Sequence, residues 1–320
     1  MNYIDIEKLN LNAINNLPDL ILEDENSFSN QIANISKEIC KNPNIKIILL
    51  AGPSASGKTT SSSLLSLNLK MLGKKVLSIS LDNFFLAREK TPKLPDGSLD
   101  FECLQALDLP YLKKFINDLL TKNSAKMPIY NFLKGKPEEE KEDIVVDNNT
   151  IIIFEGLHAL NPAIIENNKS VLKLYISLNS DYVLDGKVVL SAQDVRLMRR
   201  ITRDHYTRGY NPEETLNLWK NVIAGEKIYV LPFKHLADYT INSSHPYEPL
   251  LYANYTKKIL KEHCKNNKKL QELIQALETF EPIDKTLLPS TSLLWEFVNS
   301  AKWSFKPKFK IFNKKAKSTV

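Results

Sequence analysis

Gly52-Pro53-Ser54-Ala55-Ser56-Gly57-Lys58-Thr59 is a complete G-x-x-x-x-G-K-[ST] run, set between the mostly apolar Ile45–Ala51 and the helix-like Thr60–Leu72. Each residue type has a separate task. Glycines at 52 and 57 permit backbone angles and a close approach that a Cβ would block, so successive N–H groups can curl around a phosphate at the positive end of a helix. Lys58 supplies a mobile cation for β/γ-phosphates and Thr59 a hydroxyl for Mg²⁺. Residues 52–59, continued by Thr60, are thus the expected binding loop for ATP.

Phosphoryl transfer asks a protein mainly to position groups and neutralise charge. Two carboxylates follow apolar runs at which strands are expected to end: Asp82 after KVLSISL and Glu155 after TIIIF. Glu155, with Thr59 and Asp82, is a candidate Mg²⁺ ligand, directly or through water. Asp82 is also the candidate to orient an attacking hydroxyl or accept its proton. A third set is Arg196, Arg199, Arg200, Arg203 and Arg208 in RLMRRITRDHYTRG. Positions 196, 200 and 203 share one helical face, so their guanidinium groups could close over a polyphosphate as a lid that excludes water. The same arginines also read as a solvated charged face paired to Asp194 and Asp204. Nucleic-acid binding lacks an interleaved aromatic platform.

The elements that must hold these groups are legible from periodicity. Residues 1 to 25 are low in pattern, whereas Phe28, Ile32, Ile35 and Ile39 fall on one helical face that Pro43 ends. Strands are expected at Lys75–Leu81, Thr150–Phe154, Leu172–Leu178 and Tyr239–Asn242, and a Pro- and Gly-punctuated loop at 86–100. Asp108 and Pro110 open a helix to about Leu120. Ser191 and Asp194 make a capping-box-like start for a helix through about Tyr206, closed by Gly209, and Asn211-Pro212 starts another. Helical pattern continues from Pro249 to about Phe280, before a Pro-punctuated stretch 281–290. Strands separated by helices predict a doubly wound parallel α/β sheet, whose ligands sit at the strands' carboxyl ends. The expected division is an N-terminal extension at 1–44, a nucleotide-binding domain at 45–248 with a lid at about 188–225, a helical extension at 249–300 and a basic tail at 301–320.

The composition narrows the class. With 320 residues and 43% hydrophobic content, the chain can bury a sizeable core. Seven lysines and no acid in residues 301–320 leave the first 300 residues at a net −1, so the overall +6 describes the tail and not the body. The tail interleaves Trp303, Phe305, Phe309 and Phe312 with lysines; a solvated terminus is expected rather than contact with anionic lipid or RNA. Cys40, Cys103 and Cys264 lie far apart with no metal-ligand spacing and are expected to be reduced, buried thiols. The acidic N-terminus lacks signal-peptide features and no apolar stretch approaches membrane-spanning length, which makes a cytoplasmic protein the expectation.

Six segments, AGPSASGKTT, SLDNFF, MPIYNF, IIIFEGLHAL, RLMRRITRDHYTRG and LPFKHLADYTIN, stand in the order in which the uridine kinase and phosphoribulokinase family of P-loop kinases carries them, over roughly residues 45–245. The chain resembles that family. Within it, the FEPIDKTLLPSTSLLWEF segment at 280–297 resembles the end of bacterial nucleoside kinases; many of those carry a threonyl-tRNA-synthetase-like region ahead of the kinase, which is not expected in this chain. The resemblance implies ATP-dependent phosphorylation of a nucleoside 5′-hydroxyl, with uridine or cytidine leading, Lys58 on phosphate, Thr59 and Glu155 on Mg²⁺, and Asp82 on the hydroxyl. It places Glu102 where uridine-cytidine kinases have an aspartate on the ribose, Tyr130 at their base-stacking tyrosine, and Arg200, Arg203 and Arg208 at their lid arginines. It also implies a homo-oligomer. Three departures cluster on the base and lid: Phe85 replaces a tyrosine, Asn131–Gly135 lacks the pyrimidine-reading histidine, and Tyr210 stands where a further arginine is common. A kinase for another small hydroxyl metabolite, or an ATP-binding regulatory protein without turnover, therefore stays open.

Overall fold

A computed structural model describes residues 2–165, 169–263 and 267–298. Its centre is a five-stranded, all-parallel sheet in the order Tyr239–Asn242, Val171–Ser177, Ile47–Ala51, Thr150–Glu155, Lys75–Ser80. This is the doubly wound arrangement expected. The chain leaves the central strand Ile47–Ala51, crosses to the edge strand Lys75–Ser80, returns to fill the gap with Thr150–Glu155, and then adds strands on the other side. The crevice beyond the carboxyl end of Ile47–Ala51 is therefore a topological switch point.

Continuous apolar strands serve two cores at once because neighbouring side chains point to opposite faces. Ile48, Leu50, Ile151, Ile153, Leu172 and Leu174 face the larger core. Ile47, Leu49, Ile152, Phe154 and Tyr175 face the smaller one, which the Leu109–Lys122 helix covers with Leu112, Phe115, Ile116 and Leu119. The larger core also takes in the leading helix, the helix after the phosphate loop, the arginine-bearing helix Ala192–Arg208 and the C-terminal helices, so Leu250, Leu273, Phe280, Leu293 and Phe297 share one hydrophobic interior with the sheet.

Three departures from the sequence reading have physical causes. The leading helix runs Ile6–Lys41, far longer than the stretch from Phe28. Its register breaks at Asn16, whose backbone is non-helical, two residues before Pro18, which cannot donate a helical N–H and crowds the preceding turn. Its buried stripe also includes Glu25, whose carboxylate accepts the Tyr247 hydroxyl at 2.5 Å, so an acid stands where an apolar residue would have marked the face. The helical stretch from Pro249 is three helices, Glu248–Asn254, Thr256–His263 and Lys268–Leu277, folded back on one another. Cys103 is buried, but Cys40 at the end of the leading helix is only half-buried; Cys264 and the 301–320 tail lie outside the described residues.

Small ribbons decorate the body. Asn2–Asp5 pairs parallel with Ser180–Leu184, which pairs antiparallel with Lys187–Leu190. Ser124–Met127 with Glu142–Val145, and Tyr130–Asn131 with Lys136–Pro137, form two short hairpins. Among the described residues no helix is long and apolar enough to cross a membrane.

A fully buried ion pair ties the arginine helix to the C-terminal helices. Arg199 Nε and Nη2 donate to Glu248 at 2.5 and 2.7 Å, Nη2 also donates to the Ser243 carbonyl, and Tyr252 donates its hydroxyl to the same carboxylate. Both side chains of the pair are 0% exposed. Replacing one partner leaves the other charge buried alone, at a cost of about 3–5 kcal/mol. Arg199→Met is accordingly expected to lower the thermal midpoint by roughly 10 °C, at ~2–4 °C per kcal/mol for a body of this size. Arg199→Met combined with Glu248→Leu is expected to recover most of that loss, as scanning calorimetry of the three proteins would show.

Candidate functional site

The phosphate loop is built from the end of the central strand. Ala55 and Gly57 both sit in the left-handed backbone region, at φ +58° and +85°, and Gly57 is the residue from which the Lys58–Met71 helix starts. A Cβ at Gly52 would stand 2.3 Å from the Ile176 carbonyl oxygen of the neighbouring strand, a backbone contact that cannot yield. Glycine is required there by the close approach of loop to sheet. Lys58 folds back over the loop and donates to the Gly52 and Pro53 carbonyls, both at 2.9 Å.

Two helices clamp the outer turn of the loop at Ser54. Arg196 Nε donates to the Ser54 carbonyl at 2.9 Å, Arg200 donates to its hydroxyl at 3.0 Å, and the Ser54 N–H donates to Glu226 at 3.0 Å. Glu226, on the Pro212–Tyr229 helix, also pairs with Arg196, and Trp219 lies beneath the guanidinium groups of Arg196 and Arg200. The N–H, the carbonyl and the hydroxyl oxygen of Ser54 are thus all engaged.

A cavity of about 260 Å³ opens above the loop at the strand ends. Its walls carry Ser54–Thr59, Asp82, Phe85, Glu102, Glu155, Arg200, Arg203 and Arg208, which brings most of the residues singled out by sequence to one place. Phe101, Leu107, His158 and Glu296 join them. Gly52, Pro53 and Thr60 lie behind the wall rather than in it. Tyr130 is buried away from the cavity; its short hairpin turns the ring edge-on to Phe85 at 5.8 Å and to Phe132 at 5.1 Å, so it supports a wall residue without reaching the space itself. Arg196 and Arg199 face inward to Glu226 and Glu248 and do not line the cavity.

The arginine face has one carboxylate for three cations. Asp204, 0% exposed, receives Arg203 at 2.9 Å and both Arg200 and Arg208 at 3.4 Å. Asp194 is occupied by the helix cap and Lys269. A positive surplus is thus held at the cavity mouth, on a helix whose capping box and left-handed Gly209 terminus match the expected signals.

Opposite this surplus stand the acids. Asp82 sits on a single turn, Leu81–Phe84, that Ser80 caps through its hydroxyl. Enclosure by the walls pushes its pKa up, while Lys58 and Arg208 pull it down; the side chain is open to water within the cavity, which tempers the first effect. Glu155 ends its strand in register with Ser80 and Leu50. Burial, with help from Asp82, raises it to about 7, against the pull of Lys58. Glu102 is likewise raised to about 7 by burial, with Arg200 opposing. Burial lowers the Lys58 ammonium, opposed by Glu155 and Asp82. His158 is held neutral by burial, at about 4.

This donor set fits a polyphosphate and a hard cation. Loop amides, Lys58 and three guanidinium groups can surround phosphate oxygens, and Thr59, Glu155 and Asp82 line the same cavity. Among the described residues no group of three or more His, Cys, Asp or Glu side chains is arranged to hold a metal alone; Mg²⁺ bridging substrate phosphates uses only one or two carboxylates.

Sequence reasoning missed Glu226, His158 and Glu296. Glu226 reads as an ordinary charged residue of a helix beside Lys227, and His158 as a single polar residue between Leu157 and Ala159. Glu296 lies in a segment noticed only for its resemblance.

The Phosphoribulokinase / Uridine kinase family profile matches residues 47–246. Uridine-cytidine kinase C of Dictyostelium discoideum is 28% identical over 218 residues, 68% of this chain but 43% of its own length, so the chain spans less than half of that relative. A uridine kinase of Mycoplasma genitalium is 27% identical over 195 residues, 60% of this chain and 82% of the relative. A solved structure described as a possible uridine kinase from Bacillus stearothermophilus aligns at 17% identity over 67% of this chain and 98% of that one, with a TM-score of 0.46. With the family profile covering well over half of its length, from the first residue of the central strand to past the last strand of the sheet, this chain belongs to the Phosphoribulokinase / Uridine kinase family.

Proposed function

We propose that the protein transfers the γ-phosphoryl group of ATP to the 5′-hydroxyl of a nucleoside, with uridine or cytidine the leading acceptors. The observation that carries this reading is the convergence, on one cavity over a phosphate loop, of Lys58 and the surplus of Arg200, Arg203 and Arg208 with the carboxylates Asp82, Glu102 and Glu155. The names of the curated relatives support the acceptor class.

In this reading the amides of residues 52–60 and Lys58 hold the phosphates; the Lys58 ammonium gives two of its three donors to the Gly52 and Pro53 carbonyls. Thr59 and Glu155, with Asp82 near, hold Mg²⁺, which when bound neutralises charge on the phosphates. Asp82 accepts or orients the proton of the attacking hydroxyl. Arg200, Arg203 and Arg208 stabilise the charge that spreads over the transferring group. Glu102 accepts from the acceptor's ribose hydroxyls, and Phe85 and Phe101, edge-on to each other at 6.1 Å, offer an apolar wall to its base. A kinase for another small hydroxyl metabolite is the second reading; Tyr130's position behind Phe85, and the lack of a histidine in Asn131–Gly135, favour it.

Incubating the protein with Mg·ATP and a mixed nucleoside pool, then searching by mass spectrometry, is expected to reveal a nucleoside monophosphate. Asp82→Asn is expected to lower the rate by about 10²–10⁴-fold, the usual yield of a positioned base. No nucleoside product, with phosphorylation when a pool of sugar phosphates and other small hydroxyl metabolites replaces the nucleosides, would establish the second reading.

Glu102 makes the acceptor site pH-sensitive. With its pKa about 7, the carboxyl is neutral and carries an O–H donor below that pH, and above it becomes an acceptor through both oxygens. The KM for the acceptor is therefore expected to fall as pH rises from 6 to 8, and to be flat over that range in Glu102→Gln, as steady-state kinetics at saturating ATP would show.

A further inference from the structure

The Lys58–Met71 helix has no side-chain N-cap, because its cap position is the left-handed Gly57. Its third residue is capped from 236 positions away. The Thr60 N–H donates to Glu296 Oε2 at 3.3 Å and the Thr60 hydroxyl donates to the same oxygen at 2.5 Å. Thr60 is buried, and Glu296 reaches it through the wall of the cavity that also holds Lys58, Thr59, Asp82 and Glu155. Donors at the loop and the first turn of its helix are those on which nucleotide phosphates rest. The carboxylate therefore lies where an anionic oxygen of the ligand is wanted.

The segment carrying Glu296 is seated on the loop from outside. Leu293 packs over Gly57 so closely that a Cβ there would meet its Cδ1 at 2.5 Å. Phe297 stacks under the Arg199 guanidinium at 4.8 Å, and the Trp295 indole N–H closes the turn on the Pro289 carbonyl at 2.8 Å. Glu296 adds a fourth carboxylate to a cavity that already holds three. A phosphate arriving at Thr60 would meet a like charge in contact distance and would find its donors taken.

We propose that residues 289–298 form an internal ligand of the phosphate loop, in which Glu296 holds the place of a nucleotide phosphate and is displaced when nucleotide binds. The proposal rests on the reading of the loop as a nucleotide site. Its consequence is regulatory: whatever pulls the segment away raises nucleotide affinity, because the binding-competent fraction multiplies the intrinsic constant.

Calorimetric titration of Mg·ADP into the full chain, Glu296→Gln and Glu296→Ala tests it, together with amide hydrogen exchange of residues 294–298. Both variants are expected to bind Mg·ADP about tenfold more tightly than the unaltered chain, and exchange at 294–298 in the unaltered chain is expected to accelerate when Mg·ADP saturates it. Equal or weaker binding by the variants, or exchange that stays unchanged or slows, overturns the proposal while leaving the loop's function standing. Binding of Mg·ADP by none of the three proteins overturns the reading of the loop as well. Should the variants not fold, the exchange measurement on the unaltered chain decides alone.

Discussion

The backbone N–H groups that begin the Lys58–Met71 helix set the terms for much of the molecule. A helix leaves its first donors unpaired, and here the cap position must be a left-handed glycine, so no side chain beside it can help. Partners come from distant parts of the chain. Glu296 accepts from the Thr60 N–H in the helix, and Glu226 accepts from the Ser54 N–H in the loop ahead of it. A loop shaped to receive phosphate oxygens concentrates N–H donors, and Glu226 and Glu296 bring carboxylates against two of them.

The same economy explains why five neighbouring arginines divide into two sets. Arg196 and Arg199 turn into the body, each against its own buried glutamate, and fix the arginine helix to the loop and to the C-terminal helices. Arg200, Arg203 and Arg208 share the single carboxylate of Asp204 and keep excess charge for the cavity. One set sets the position of the other. Helical spacing alone would have grouped 196 with 200 and 203; the difference is made by which acids the Pro212–Tyr229 helix and the Glu248–Asn254 helix bring within reach.

Much of the fold was legible for a simple reason. Strands buried on both faces of a parallel sheet must be apolar at every position, and runs such as IILLA and TIIIF announce themselves. Capping boxes at Ser191 and Asn211 work within four residues and are equally visible. The first half of the leading helix was not, because Pro18 shifts its face and Glu25 occupies a buried position that only Tyr247, 222 residues on, makes tolerable. A buried acid satisfied by a distant hydroxyl reads, in one dimension, as a surface acid.

The candidate site divides along the same line. Sequence by itself determined the loop, its lysine and threonine, and the two carboxylates at strand ends, since each depends on a local motif or on the end of an apolar run. It also determined which helix bears the arginines. Tertiary structure decided which arginines reach the cavity, that Tyr130 stands behind Phe85, and that His158 and Glu296 complete the walls. Those placements follow from the packing of separate elements against one sheet, and a contact between residues 60 and 296 has no trace in the spacing of either neighbourhood.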